Sequence, residues 1–419
     1  MKTDTIFVQI AAYRDPELIP TIENLLQTAK YKSRLVIGIV WQHTPDDTWD
    51  TLDKYKNKKQ FRIIDIPIAD SRGVCWARSR FASIYKGEKY TLQLDSHHRF
   101  TKNWDETLIT MLEKLRKNGS KKPLLTSYLP SYFPDNDPDG RLDYPWKMNF
   151  DYFLPEGPIF TRPSDIPDIK NITEPILARF LSAHFVFTDG AWITDVPYDP
   201  MLYFHGEEPS LAIRSFTHGY DLYHPHSVVA WHEYTRSGKK KHWDDATWGG
   251  YDKVSFSRTR KLLGMDNEIL DFDFGKYGLG TERSLHEYEL YAGVKFSTRQ
   301  VHQDTIDQKQ PPISTDDEEF ESRLCNRFKY CINVWRESVK EPDYDCWVIA
   351  FEDADGKELV RLDAAQPEVA NILRSEPTNQ FAIIWREFDT SIRPAKWTVW
   401  PHSISKGWMD RIQGDVPHK

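Results

Sequence analysis

The sequence predicts an α/β protein of the doubly wound, mostly parallel kind, followed by a small β-rich module. Three observations carry that expectation. Short apolar runs alternate with amphipathic helical patterns through the first third of the chain. One of these runs, Leu35-Val36-Ile37-Gly38-Ile39-Val40-Trp41, is apolar almost throughout, as a strand buried on both faces must be. After about residue 320 the pattern changes to short strands separated by turn signals. With 419 residues the chain exceeds one ordinary core, so two domains are expected.

The elements follow in order. Residues 6–12 read as a strand, and Asp15-Pro16-Glu17 opens a helix whose Leu18, Ile19, Ile22, Leu25 and Leu26 recur at near-helical spacing. Strands at 62–69, 90–94 and 124–129 alternate with helices at 75–85 and 103–115. From residue 130 to about 175, Pro, Asp, Tyr and Trp occur without period, which predicts a long irregular binding loop. Regularity returns with a strand at 184–187, a helix at 207–218 closed by Gly219, and a strand at 227–231. The polar segment 298–319 reads as a linker between a domain spanning 1–297 and an accessory module spanning 320–419. That module holds strands near 346–351, 359–362, 381–385 and 397–400. Its Trp335, Trp347, Trp385, Trp397, Trp400 and Trp408 are expected mostly in its core, the alternative being an aromatic platform for an acceptor.

Composition narrows the function classes. Lys and Arg total 55 against 63 Asp and Glu, a net charge of −8, so no global basic face for nucleic acid is expected. Four cysteines are too few and too scattered for a disulfide scaffold or a Cys-rich zinc module. No apolar run approaches the roughly 20 residues needed to span a bilayer, and a cytoplasmic, reducing setting is expected. Glycine-rich dinucleotide or phosphate loops, His-Glu-x-x-His and Gly-x-Ser-x-Gly are all missing from the sequence. Their absence argues against nicotinamide, ATP-loop, zincin and serine-hydrolase chemistry.

In a doubly wound sheet, ligands bind outside the carboxyl ends of the strands. Two segments therefore draw the chemistry: Ala12-Tyr13-Arg14-Asp15 and Asp95-Ser96-His97-His98. Asp95 and His97, two apart at a strand end, can face one side and approach one cation, a donor pair suiting Mn²⁺ better than Ca²⁺. The plainer reading is an aspartate capping a turn beside exposed histidines. His232, ending a later strand, is a third candidate ligand; His224 and His226 read more simply as structural. Glu207 and Glu208 open a helix, where the dipole alone accounts for acids; functionally, either carboxylate suits sugar hydroxyls. Asp189, before Gly190, allows the same use or an ordinary turn. Arg14, Arg72 and Arg78 have forked donors for phosphate, or for surface ion pairs.

Order strengthens these clues. Ala12-Tyr13-Arg14-Asp15-Pro16-Glu17, Gly73 with Ala77-Arg78, Leu94-Asp95-Ser96-His97-His98-Arg99-Phe100, Phe187-Thr188-Asp189-Gly190, Phe204-His205-Gly206-Glu207-Glu208 and Trp231-His232-Glu233-Tyr234 follow one another along the chain. This series resembles the N-acetylglucosaminyltransferase family typified by cytoplasmic enzymes that glycosylate hydroxyproline on a ubiquitin-ligase subunit. The resemblance implies a GT-A fold, a UDP-sugar donor (UDP-GlcNAc favoured), a hydroxyl acceptor on a protein or glycan, and retention at the anomeric carbon. It also implies a divalent metal, Mn²⁺ or alternatively Mg²⁺, on Asp95, His97 and His232. Ala12, Tyr13, Arg14, Arg78, Asp95 and Ser96 are then expected to bind the nucleotide, and Glu207, Glu208 and Asp189 to serve the reacting centre. His98 departs from the methionine-like residue usual after the metal motif, and the module beyond the linker lies outside the resemblance. Competing readings are a metal-dependent hydrolase and a non-catalytic carbohydrate-binding protein with a decayed transferase core.

Overall fold

The computed structural model describes residues 4–49, 51–154, 156–236, 238–245, 249–265, 273–375 and 379–416. Strands in the first part are β1 (Ile6–Tyr13), β2 (Leu35–His43), β3 (Phe61–Pro67), β4 (Tyr90–Leu94), β5 (His98–Phe100), β6 (Pro123–Thr126), β7 (Trp146–Phe153), β8 (Ile159–Asp165), β9 (Ile176–Leu177), β10 (Phe185–Asp189), β11 (Asp221–His224) and β12 (Ala230–His232). Eight of them form one sheet in the order β3-β2-β1-β4-β10-β6-β11-β9. The pairs β3/β2, β2/β1, β1/β4 and β6/β11 are parallel. β10 runs antiparallel to both β4 and β6, and β9 to β11. The expected α/β class with a mostly parallel central sheet is therefore what forms. The reversal at β10 has a local cause: among the described residues between β6 and β10 there is no α-helix to carry a parallel crossover, only the three-residue 3₁₀ turns Pro134–Asn136 and Ile169–Asn171.

Sequence pattern explains the layers. All five residues of β4 are buried, as are Ile6, Phe7, Val8, Gln9 and Ile10 of β1. The helix Leu18–Thr28 buries Leu18, Ile22 and Leu25 in the same apolar cluster as these strands. Burial of each such side chain contributes about 1.5–3 kcal/mol. The helix Trp104–Lys117 turns Leu108, Met111, Leu112 and Leu115 into that cluster.

The stretch expected as one irregular loop contains a hairpin, β7 with β8, paired from Trp146↔Asp165 to Phe153↔Ile159. Met148 and Phe150 of β7 and Ile159 of β8 are buried in a second apolar cluster.

Further strands are β13 (Val294–Lys295), β14 (Gln300–His302), β15 (Leu324–Trp335), β16 (Tyr344–Glu352), β17 (Glu358–Arg361), β18 (Ala364–Ala365), β19 (Phe381–Thr390), β20 (Lys396–Ser403), β21 (Gly407–Trp408) and β22 (Ile412–Asp415). Residues 298–319, expected as a polar linker, hold β14, the short helix Gln303–Ile306 and the start of the helix Asp317–Ser322. β14 pairs with β13 on one side and β15 on the other, so this segment is a structured bridge. Past it, β15 and β19 pair over their lengths, and β16 and β20 anchor a second sheet. Trp347 is fully buried in the core of this part, but Trp335, Trp385 and Trp408 are 51%, 53% and 49% exposed. The expectation of a mostly buried tryptophan set is corrected: alternation along β15 and β19 turns Trp335 and Trp385 to the outer face.

Candidate functional site

Because β1 and β4 are parallel neighbours, their carboxyl ends open on one side of the sheet. Tyr13 ends β1 there, and Asp95 follows β4 directly. His232 arrives by a different route from strand ends of one sheet. It lies on β12, which pairs with β5 in a separate two-stranded ribbon, with His232 opposite His98. The backbone N–H of Glu233 donates to the carbonyl of His97 at 3.2 Å and ties that ribbon to the β4 loop.

Asp95, His97 and His232 thus converge, with ligand-type atoms within 4.8 Å of one another. Asp95 Oδ2 lies 3.4 Å from His232 Nε2 and 3.8 Å from His97 Nε2. Ligand atoms about 2.0–2.2 Å from one cation stand at such separations, so the donor set fits a divalent ion with little rearrangement. Asp15 aims one of the rings. It accepts from Ser96 Oγ at 2.6 Å and from His97 Nδ1 at 2.7 Å, which leaves His97 Nε2 facing Asp95. Burial opposes ionisation of Asp15, but His97, Arg236 and Ser96 outweigh it and hold the carboxyl well below its usual range. Burial would likewise raise Asp95; Arg78, His232 and His97 instead hold it well below. Burial pushes His232 down to about 3, so its ring is neutral, and a cation would take Nε2 in place of the proton that this nitrogen shares with Asp95.

Sequence reasoning missed Asp15 as an orienting group and missed His184. The His184 ring stacks on His232 with centroids 4.1 Å apart, and its Nε2 accepts from the Leu129 N–H. Burial keeps His98 and His184 well below the usual imidazole range. His98 Nδ1 reaches the Asp95 carbonyl at 3.1 Å, so the residue that departs from the family pattern packs behind the metal-type ligands.

Two cavities meet at Asp95. The smaller, about 120 Å³, is lined by Ala11, Tyr13, Gly73, Ser96, Arg236 and Lys241 among others. Ala12 is fully buried and contributes only through its neighbours. Gly73 has φ +102°, and a Cβ there would stand 2.6 Å from the Tyr203 ring, so only glycine fits. The basic groups facing this cavity come from a segment the sequence reading passed over, Lys239-Lys240-Lys241 and Arg236. The larger cavity, about 740 Å³, is lined by Tyr128, Phe133, Trp146, Phe160, Glu208 and Tyr234, with Arg78 and Glu207 also exposed to it.

Several expected roles change. Arg78 is buried between two carboxylates rather than presented to phosphate: it pairs with Asp95 and, at 2.6 Å, with Glu207, and donates to Tyr198 Oη at 3.1 Å. Arg14 is also occupied, by Asp47 at 2.8 Å and Asp245 at 2.9 Å. Its backbone stands at φ +45°, a strained value for a residue with a Cβ. Glu207 accepts from Arg78 and is positioned by it, while Glu208 accepts from Tyr128 Oη and from the Ala183 N–H, each at 2.9 Å. Burial pushes Glu208 up to about 7. Gly206, at φ +88°, starts the helix carrying both acids; a Cβ there would collide with Thr259 Oγ1.

Asp189 lies elsewhere. In the antiparallel pairing of β10 with β4 it stands opposite Tyr90, at the far end from Leu94, and it forms an ion pair with Arg116 at 2.7 Å. Asp189→Asn should leave turnover within about twofold of wild type and stability within about 1 kcal/mol, the range of a half-exposed pair. A steady-state assay with a thermal melt checks both.

The chain matches the family model for glycosyltransferase (GlcNAc) over residues 5–56 and 50–298. No curated protein matches it. Among solved structures it is similar to GalNAc-T7 with UDP, GalNAc and Mn²⁺, at 16% identity and TM-score 0.45, covering 61% of this chain and 48% of that one. It is also similar to S. aureus TarS 1-349 in complex with UDP-GlcNAc, at 12% identity and TM-score 0.42, covering 64% and 68%. The chain thus spans about half the length of the GalNAc-T7 chain it matches. With the family model spanning well over half of its residues, the chain belongs to the GlcNAc glycosyltransferase family.

Proposed function

We propose that the protein transfers a sugar, GlcNAc by preference, from a UDP-sugar to a hydroxyl on a protein or glycan, with retention at the anomeric carbon. The observation that carries this reading is the convergence of Asp95, His97 and His232 where the two cavities meet. The ordered motif set supports a relationship to the enzymes that glycosylate hydroxyproline. Among the described residues no helix is long and apolar enough to cross a membrane. A cytoplasmic setting belongs to the proposal, as does the division into a transferase domain over 1–297 and an accessory module over 320–419.

The chain's own groups divide the work. Asp15 fixes the His97 ring, and Arg78 holds Asp95 and Glu207 in place without a further partner having to order them. Bound by Asp95, His97 and His232, Mn²⁺ would supply charge neutralisation for the diphosphate leaving group. Arg236 and Lys241 face the smaller cavity and suit the phosphates; the Tyr13 loop closes its other side. On the larger side Glu208 orients the acceptor hydroxyl, and the surrounding aromatic rings exclude the water that would hydrolyse the donor. Titration calorimetry tests the donor half: UDP should bind about tenfold more tightly with Mn²⁺ than with chelator. Selective binding of ADP or NAD overturns it.

Glu208 gives a separate prediction. The folded protein holds its proton up to about pH 7, whereas an unfolded chain releases it near 4.5. Folded protein therefore binds the proton more tightly, and stability from this group falls as pH rises from about 4.5 through 7. The loss approaches about 3 kcal/mol. Melting curves of Glu208→Gln across that range should lack this fall, and curves parallel to wild type would refute the assignment.

A further inference from the structure

A second set of metal-type donors meets in the β-rich part of the chain, away from the site at Asp95. Asp345, Cys346 and His402 offer a carboxylate oxygen, a thiol sulfur and an imidazole nitrogen, all within 4.8 Å of one another. Strand register explains the meeting. Cys346 of β16 stands opposite His402 of β20, so their side chains share one face of the sheet. By alternation Asp345 belongs on the other face. The register slips between Tyr344 and Cys346, however: Tyr344 pairs with Ser403 and Cys346 with His402, leaving Asp345 as an extra residue. Such a bulge re-aims a side chain, and Asp345 Oδ1 comes to 2.6 Å from His402 Nδ1.

The surroundings favour a cation. Asp363, nearby, is already paired with Arg361 at 2.7 Å, which leaves Asp345 as the carboxylate of the cluster itself. Trp408, paired with His402 through β21, stands at a steep angle to the imidazole with centroids 4.8 Å apart and walls one side of it. All three donors are half-buried, so the site is open to solvent on one side.

We propose that Asp345, Cys346 and His402 form a binding site for zinc or a similarly borderline-soft divalent cation. One nitrogen, one sulfur and one oxygen are the donor types zinc takes, and three protein ligands leave a fourth position for water. Opening the 2.6 Å contact by about 0.7 Å, to about 3.3 Å, gives the separation that two ligands of one tetrahedral zinc ion need. Binding takes the thiol proton to solvent and forms a Zn–thiolate bond, with no change in oxidation state. The sulfur distinguishes this site from the one at Asp95, which offers only oxygen and nitrogen. The inference does not depend on the transferase reading.

Cobalt supplies the test. Full-length protein, stripped by chelator and titrated with Co²⁺, should develop a saturable thiolate-to-cobalt charge-transfer band with the intensity of one thiolate ligand, and the band should disappear when Zn²⁺ is added. The site at Asp95 cannot produce that band. Cys346→Ser should abolish it, His402→Ala should weaken cobalt binding by about tenfold or more, and Cys331→Ser should leave it unchanged. A readout on the unmutated chain guards against misfolded variants: Zn²⁺ should slow alkylation of Cys346, followed by peptide mass spectrometry, by about tenfold or more. No band at saturating Co²⁺, a band that survives Cys346→Ser, or alkylation indifferent to Zn²⁺ would each overturn the proposal.

Discussion

Asp95→Asn should lower sugar transfer by about a hundredfold or more while leaving the protein folded. Three facts make this residue the sensitive one. It stands between both histidines, with Oδ2 at 3.4 Å from His232 and 3.8 Å from His97. Arg78 and the two histidines keep it ionised despite its burial. It also lines both cavities, the one faced by the basic side chains and the one lined by the aromatic ones, and among the described residues is the only charged one in the lining of both. Asparagine keeps the shape and a hydrogen-bonding oxygen for Arg78 but removes the charge a cation needs. UDP release with and without acceptor, alongside calorimetry of UDP and Mn²⁺, reads the effect. His232→Ala should act in the same direction less severely, because water can replace a neutral ligand. Full metal-dependent turnover in a folded Asp95→Asn protein would sink the metal assignment.

Arg78→Met should produce the largest loss of stability among the site residues. Arg78 is 3% exposed and spans Asp95 and Glu207. Deleting one member of a buried ion cluster costs about 3–5 kcal/mol, because the remaining charge has neither water nor partner. In a domain this large that corresponds to a fall in Tm on the order of 10 °C. Burial raises the Glu207 carboxyl even with Arg78 beside it, so without the guanidinium Glu207 takes up a proton. A second substitution, Glu207→Gln, should therefore recover part of the loss, and a double-mutant cycle by thermal melts measures the coupling. Arg78→Met protein that melts with wild type would show that the pairs contribute nothing.

What the sequence made legible was whatever depends on local period and strand ends. Residues 6–12 and 35–41 read as strands because nearly every position in them is apolar, and 90–94 because Tyr90, Leu92 and Leu94 alternate with Thr91 and Gln93; the structure buries all three in the sheet. Asp95 and His97 were legible because a polar pair directly follows such a run. Asp189 misled for a physical reason: that it ends a strand was readable, but which way the strand runs was not. Since β10 is antiparallel, its carboxyl end lies at the opposite edge from that of β4. Arg78 misled because no local pattern tells a guanidinium that faces phosphate from one buried between Asp95 and Glu207, residues 17 and 129 positions away. The hairpin at β7 and β8 was readable in part. Trp146, Met148, Phe150 and Tyr152 alternate with polar residues, but the aperiodic prolines, aspartates and aromatic residues on either side hid the period.

The place of β10 also bears on how the chain is made. It lies between β4 and β6 and pairs with both, so the ladder of the half-sheet β3-β2-β1-β4 continues into that of the half-sheet β6-β11-β9 through it. While synthesis proceeds from residue 126 to residue 189, β4 and β6 each present an unpaired edge rich in buried-type side chains. Such edges are where a growing chain pairs with the wrong neighbour. The hairpin formed by β7 and β8 is translated within that interval and closes from local contacts. β10 is thus the strand that joins early sheet to late sheet: when it is made β1 to β4 are already complete, whereas β11, the other partner of β6, follows only at residues 221–224 and closes the far side last.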